Sequence, residues 1–192
     1  RSSLGCLEDS GSFSSAETSE TAVAMVPRVS WSASEPLSVQ AVTDIGRDQL
    51  LTGKVQESAS EGDLLILGIP ALTEAKVVLT AETPEGLMCS EELSIAPASL
   101  PSSLPPITLS SFDPEQASGG FVSTVVITES GRYIVILDAL GEYVWVLEVG
   151  YNSVAGVDFT EDGEGLVYMR WAEEADPDTE PPVPAQPGRV VW

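Results

Sequence analysis

Residues Gly120 to Trp145 read GFVSTVVITESGRYIVILDALGEYVW. Three runs rich in Val, Ile and aromatic residues are separated by the breakers Glu129-Ser130-Gly131 and Asp138-Ala139-Leu140-Gly141. β-branched and aromatic side chains fit a pleated, half-buried surface, and Gly, Ser and Asp supply the turns between them. The stretch therefore predicts an antiparallel meander of three strands.

Downstream, Gly188 to Trp192 (GRVVW) echoes Gly141 to Trp145 (GEYVW), a spacing of about 47 residues. A propeller blade recurs at roughly 40–50 residues, so the spacing predicts a second blade. Between the two, Ser153 to Phe159 and Gly165 to Trp171 form a hairpin pattern around Asp162-Gly163. Ala172 to Pro187 is acidic and rich in Pro, and is expected to loop into solvent. A ring needs about 4–8 blades, so this part of the chain is expected to be an incomplete propeller of one to two blades.

Upstream of the meander, short apolar runs recur: Arg28 to Ser32, Leu37 to Val42, Gln49 to Val55, Asp63 to Ile69, Lys76 to Ala81 and Glu91 to Ala96. Val29 and Trp31 fall on one face of the first, which makes Trp31 a core residue rather than a ligand platform. Ser58 to Gly62 separates two of the runs, and Thr83-Pro84-Glu85-Gly86 ends the clearest strand. Strands at this spacing predict a small β-sandwich over residues 23–97. Residues 98–106, rich in Leu and Pro, are expected to form a semi-rigid connector. The second domain then covers 107–192, and the whole chain is predicted to be all-β.

Composition narrows the function classes. The 192 residues include 30 Asp plus Glu against 8 Lys plus Arg, a formal net charge of −22. Such a surface repels phosphate backbones, which excludes nucleic acid as a partner. There is no histidine, so the commonest general base and metal ligand are missing, and no Ser-His-Asp or Cys-His arrangement can be built. No run approaches the ~20 apolar residues of a membrane-spanning helix. Catalytic, cofactor-binding and metal residues are all expected to be absent.

The two cysteines, Cys6 and Cys89, have no metal-ligand spacing. Ser3-Leu4-Gly5-Cys6 resembles the end of a bacterial lipobox, which makes Cys6 a candidate lipidation site and the sole route to a membrane. Leu7 to Thr21 is rich in Ser, Glu and Thr, as a flexible tether would be. Residues 1–22 are thus expected to be a disordered leader or lipoprotein tether. An incidental Cys6 in such a leader, or a Cys6–Cys89 disulfide, remains open.

Other clusters are read against simpler explanations. Asp158, Glu161, Asp162 and Glu164 surround a glycine but lack calcium-loop spacing, so a hairpin turn accounts for them. Asp176, Asp178 and Glu180 read as a solvated charge run. Tyr133, Tyr143, Trp145, Tyr151, Tyr168 and Trp171 read as packing between sheets, with a sugar- or aryl-binding platform as the alternative. Arg132 and Arg170 lie on strands where a surface position explains them. Gly119-Gly120 precedes a strand rather than a helix and is no phosphate loop.

Two resemblances carry the reading further. Gly68-Ile69-Pro70-Ala71-Leu72-Thr73-Glu74-Ala75, followed by Val77, Leu79 and Ala81, resembles the segment before the penultimate strand of fibronectin type III domains. Gly68, Ile69 and Thr73 fit that pattern, while Ala75 stands where the family has its corner tyrosine. The order of sandwich, connector Leu100-Pro101-Ser102-Ser103-Leu104-Pro105, and then Ile134 to Asp138 with Gly141 to Trp145, resembles exported bacterial arylsulfotransferase-like proteins. That resemblance implies an exported, lipid-anchored, periplasmic or extracellular protein. It also implies a complete propeller that moves sulfate from an aryl sulfate to a phenol through a histidine. Lacking that histidine, this chain is expected to be an inactive N-terminal fragment. A non-catalytic adhesion or scaffold protein, or a propeller enzyme of another type, is the alternative.

Overall fold

The computed structural model describes residues 6, 13–21, 25–47, 50–108, 110, 120–150, 153–161, 165–171 and 186–191. Among them every regular element is a strand. The chain divides into two compact units, Arg1–Ser99 and Leu100–Trp192.

The first unit is one curled seven-stranded sheet built on an unusually long strand, β2 (Arg28–Asp44). Its first half lies between β1 (Phe13–Ser19) and β4 (Gln56–Leu65). Its second half pairs with β5 (Ala75–Thr83), and also with β3 (Leu50–Thr52). β5 in turn pairs with β6 (Gly86–Cys89) and β7 (Leu93–Ile95). One strand therefore serves both leaves of a small sandwich.

The expected pair of strands on either side of Glu35-Pro36 is this single strand. In the β2–β4 ladder, Ser32 faces Glu61 and the next partners are Leu37 and Ala59. The extra residues, Ala33 to Pro36, bulge out of the pairing. A bulge is where a strand tolerates proline, which has no N–H for the ladder, and where it can bend. Val29 and Trp31 before the bend, and Val39 and Ala41 after it, all enter one core with Val77, Leu79, Ala81, Ile69 and Ile95.

Two further expectations need correction. Ser58 to Gly62, read as a separator, is the middle of β4. Its polarity suits a strand whose outer face meets water, with Glu61 and Asp63 exposed. Gly62 lies opposite Trp31, and the Gln56 amide fills the space a side chain would take there, bonded to Trp31 Nε1 at 3.2 Å. The leader is also partly ordered, since Phe13–Ser19 forms β1. Its order comes from the partner rather than from its own composition: a ladder to β2, with Phe13 edge-on to Trp31 at 6.2 Å between ring centres. The rest of the expected leader, apart from Cys6, Glu20 and Thr21, lies outside the described residues.

The second unit contains two antiparallel three-stranded meanders. β8 (Val122–Ile127), β9 (Arg132–Leu137) and β10 (Tyr143–Gly150) match the expected strands. β11 (Ser153–Phe159), β12 (Gly165–Trp171) and β13 (Gln186–Val191) form the next sheet, and β11 runs beside β8. The all-β class is as read: a small sandwich followed by a blade-like succession of meanders.

The five-residue echo, however, is not a structural equivalence. Gly141 lies in the turn before β10, whereas Gly188 lies inside β13 opposite Tyr168. The sheets repeat instead from Val122 to Ser153 and from Arg132 to Gly165, about 31–33 residues. The acidic segment between β12 and β13 stretches the third spacing.

Candidate functional site

The Asp-x-x-Gly-x-x-x-Trp pattern of Asp138 to Trp145 occupies the β9–β10 hairpin. Asp138 Oδ1 accepts hydrogen bonds from the Leu140 and Glu142 backbone N–H groups, both at 2.9 Å. Gly141 has φ of 77°, a conformation that costs a side chain energy, and its N–H reaches the Asp138 carbonyl at 3.0 Å. Trp145 is buried at 2% exposure, with Tyr143 and Val144 similarly enclosed. The turn thus accounts for Asp138 and Gly141, and burial on β10 accounts for Trp145.

The Leu-Pro segment is not a free connector. Leu104 is buried, Ser103 Oγ and Tyr133 Oη share a hydrogen bond of 2.6 Å, and Tyr143 Oη donates to the Pro105 carbonyl at 2.9 Å. Two tyrosines from adjacent strands β9 and β10 pin the segment to the first meander. Desolvation holds the Tyr143 phenol above its ordinary 10.0. A raised folded pKa means that the neutral form is preferred in the native state. The stability it supplies is complete below the unfolded value and is lost as pH rises through the folded one. Tyr143→Phe is expected to cost about 1 kcal/mol at neutral pH, the net worth of one hydrogen bond. It should also flatten the alkaline fall in stability, read by denaturant titration on both sides of pH 10. An unchanged alkaline profile would assign that fall to another group.

The other aromatics divide between packing and silence. Tyr133 is buried with Tyr143 and Trp145, so none of the three offers a ring face to a ligand. Tyr168 is half-buried. Tyr151 and the Trp171 side chain lie outside the described residues, as do Gly119, Asp162, Glu164, Asp176, Asp178, Glu180 and the Arg170 side chain. Gly120 stands just before β8, with no helix after it. Arg132 is half-buried on β9 opposite Ile127. Asp158 uses Oδ1 to accept from the Phe159 N–H at 2.8 Å, and Glu161 is exposed in the turn. Among the described residues no three His, Cys, Asp or Glu side chains converge to hold a metal.

Two features escaped the sequence reading or were left open by it. A groove of about 570 Å³ in the first unit is lined by Thr18, Ser19, Met25, Val26, Ile69, Pro70 and Ile95 to Ser99. It is assembled from segments far apart in sequence, which no motif connects. Its walls are mostly apolar, with Thr18, Ser19, Glu20, Thr21 and Ser94 among them; Glu20 is exposed, and the Thr21 hydroxyl donates to the Val26 carbonyl at 2.7 Å. Cys6 and Cys89 form a disulfide. A sulfur bonded in this way holds no thiol to acylate, so the bridge and the expected lipid anchor exclude each other at Cys6.

Compared with known proteins, the chain matches no protein-family model and no curated protein sequence. No helix among the described residues is long and apolar enough to cross a membrane.

Proposed function

We propose that this chain is the sandwich and first blades of an exported, arylsulfotransferase-like propeller protein, and that its own residues transfer no sulfate. The observation that carries this reading is the Leu-Pro segment pinned onto the β8–β10 meander by Tyr133 and Tyr143. It joins, in one packed unit, two of the sequence features on which the resemblance rests, the connector and the meander. The disulfide supports export, because such bonds persist in oxidising compartments. The localisation proposed is therefore periplasmic or extracellular, without a lipid on Cys6.

Sulfate transfer in the resembled family needs a nucleophilic imidazole, with cationic groups placed to stabilise charge on the sulfuryl oxygens. The chain has no histidine. In this reading the chemistry belongs to blades outside these 192 residues, with an aryl sulfate and a phenol as their substrates. The purified chain, incubated with an aryl sulfate donor and a phenol acceptor, is expected to release no product above buffer. A longer chain carrying further blades and a channel-facing histidine should turn over the same donor. Turnover by the short chain, lost on replacing one of its own carboxylates or tyrosines, would show a different chemistry and overturn the proposal.

A non-catalytic adhesion or scaffold role is the second reading. It is favoured by the burial of Tyr133, Tyr143 and Trp145, which serve structure alone. Further blades without a channel-facing histidine would decide for it.

A further inference from the structure

We infer that the Cys6–Cys89 disulfide is a redox latch that holds β1 in place, and that its reduction opens the edge of β2. The main path of the curled sheet runs β1-β2-β5-β6. Cys6 precedes β1, and Cys89 is the last residue of β6. The bridge therefore ties together the two ends of that path, across a sequence separation of 83 residues. It joins an exposed residue upstream of β1 to a buried residue at the end of β6.

Apart from its ladder to β2 and its contact with β7, β1 is held by few buried side chains. Its sequence, Phe13-Ser14-Ser15-Ala16-Glu17-Thr18-Ser19, contributes only Phe13 and Ala16 to the core, both partly buried. Ser15, Glu17 and Ser19 alternate onto the outer face, where Ser15 and Ser32 share a hydrogen bond of 2.9 Å. By contrast β5 buries Ala75, Val77, Leu79 and Ala81 completely or nearly so. Ordering a seven-residue polar strand carries an entropic cost that two apolar contacts offset poorly. The β1–β2 connection already tethers one end of the strand; a covalent tie upstream of it restrains the other end and so lowers that cost.

Reduction has a defined chemistry. A dithiol supplies two electrons and two protons; the S–S bond breaks, Cys6 and Cys89 become thiols, and the reductant closes to its own disulfide. β1 then leaves, and the backbone edge of Arg28 to Ala33 loses its ladder on that side. Thr18 and Ser19 also line the groove in this unit, so their departure widens it. The latch is independent of the sulfotransferase reading and stands or falls separately.

Amide hydrogen exchange on the intact chain, oxidised and then reduced with dithiothreitol at neutral pH, tests the latch. Reduction is expected to lower protection in β1 at least 100-fold while β5 amides from Val77 to Ala81 change less than 10-fold. The Cys6→Ser, Cys89→Ser double variant should reproduce this without reductant. Phe13→Ala in the oxidised chain should leave β1 protected within 10-fold. Unchanged β1 protection on reduction would show that packing holds the strand, and would overturn the latch. A parallel loss across β1 and β5 would overturn it too, by showing that the bridge stabilises the whole unit.

Discussion

Trp145→Ala is expected to destabilise the second unit by about 3–5 kcal/mol, the usual cost of removing a large aromatic from a packed core. Trp145 sits on β10, 2% exposed, across from Ile136 and between Val144 and Val146, which are buried on the opposite face. β9 beside it buries Tyr133, Ile134, Val135 and Ile136 without a break. Packing at interior density leaves such neighbours little room to collapse, so a cavity term adds to the lost transfer energy. Denaturant titration should show the loss, and exchange should show it concentrated in Tyr133 to Ile136. The same variant decides between packing and a ligand platform. A Trp145→Ala protein of wild-type stability that had lost affinity for a sugar or aryl compound would reinstate the platform.

The strands that were legible in the sequence are those whose local chemistry already agrees with their tertiary place. Val, Ile and Tyr in β8 to β10 state burial directly. Thr128, whose Oγ1 bonds both the N–H and the carbonyl of Gly131, and Asp138 with Gly141 make the turns that the composition announces. β5 and its Pro84-Glu85 turn were legible for the same reason. What was illegible depends on a partner supplied from elsewhere in the chain. β1 and the centre of β4 are polar and become strands because the long β2 offers a ladder on each side. The Leu-Pro segment looks like a spacer until two tyrosine hydroxyls, 30 and 38 residues further on, fix it. The candidate site shows the same divide. Cysteine spacing names no pairing, and the groove draws on residues from Thr18 to Ser99. The echo of Gly141 to Trp145 misled in the opposite direction, since similar letters fell on a turn in one place and a strand in the other.

Leu79→Ala is expected to cost about 2–5 kcal/mol, while Leu72→Gly, seven residues earlier, should be neutral or gain up to about 1 kcal/mol. The contrast follows from position alone. Leu79 is fully buried on β5, between its partners Ala41 on β2 and, through reciprocal bonds of 3.0 and 2.9 Å, Ser90. Truncating it leaves a cavity in the one cluster shared by both leaves of the sheet, with Val39, Val77 and Ile95 around it. Leu72 is 70% exposed at the tip of the Pro70–Thr73 turn and has φ of 62°. There its side chain stabilises nothing by burial, and its backbone holds a left-handed conformation that glycine adopts freely. The relief is set against the greater entropy of glycine in the unfolded chain, so the net gain is small. Denaturant midpoints of the two variants should therefore move apart by several kcal/mol when converted to stability. If Leu72→Gly instead destabilised as much as Leu79→Ala, the exposed leucine would have to be packed against something in solution. The tip of that turn would then be a contact surface rather than a strained corner.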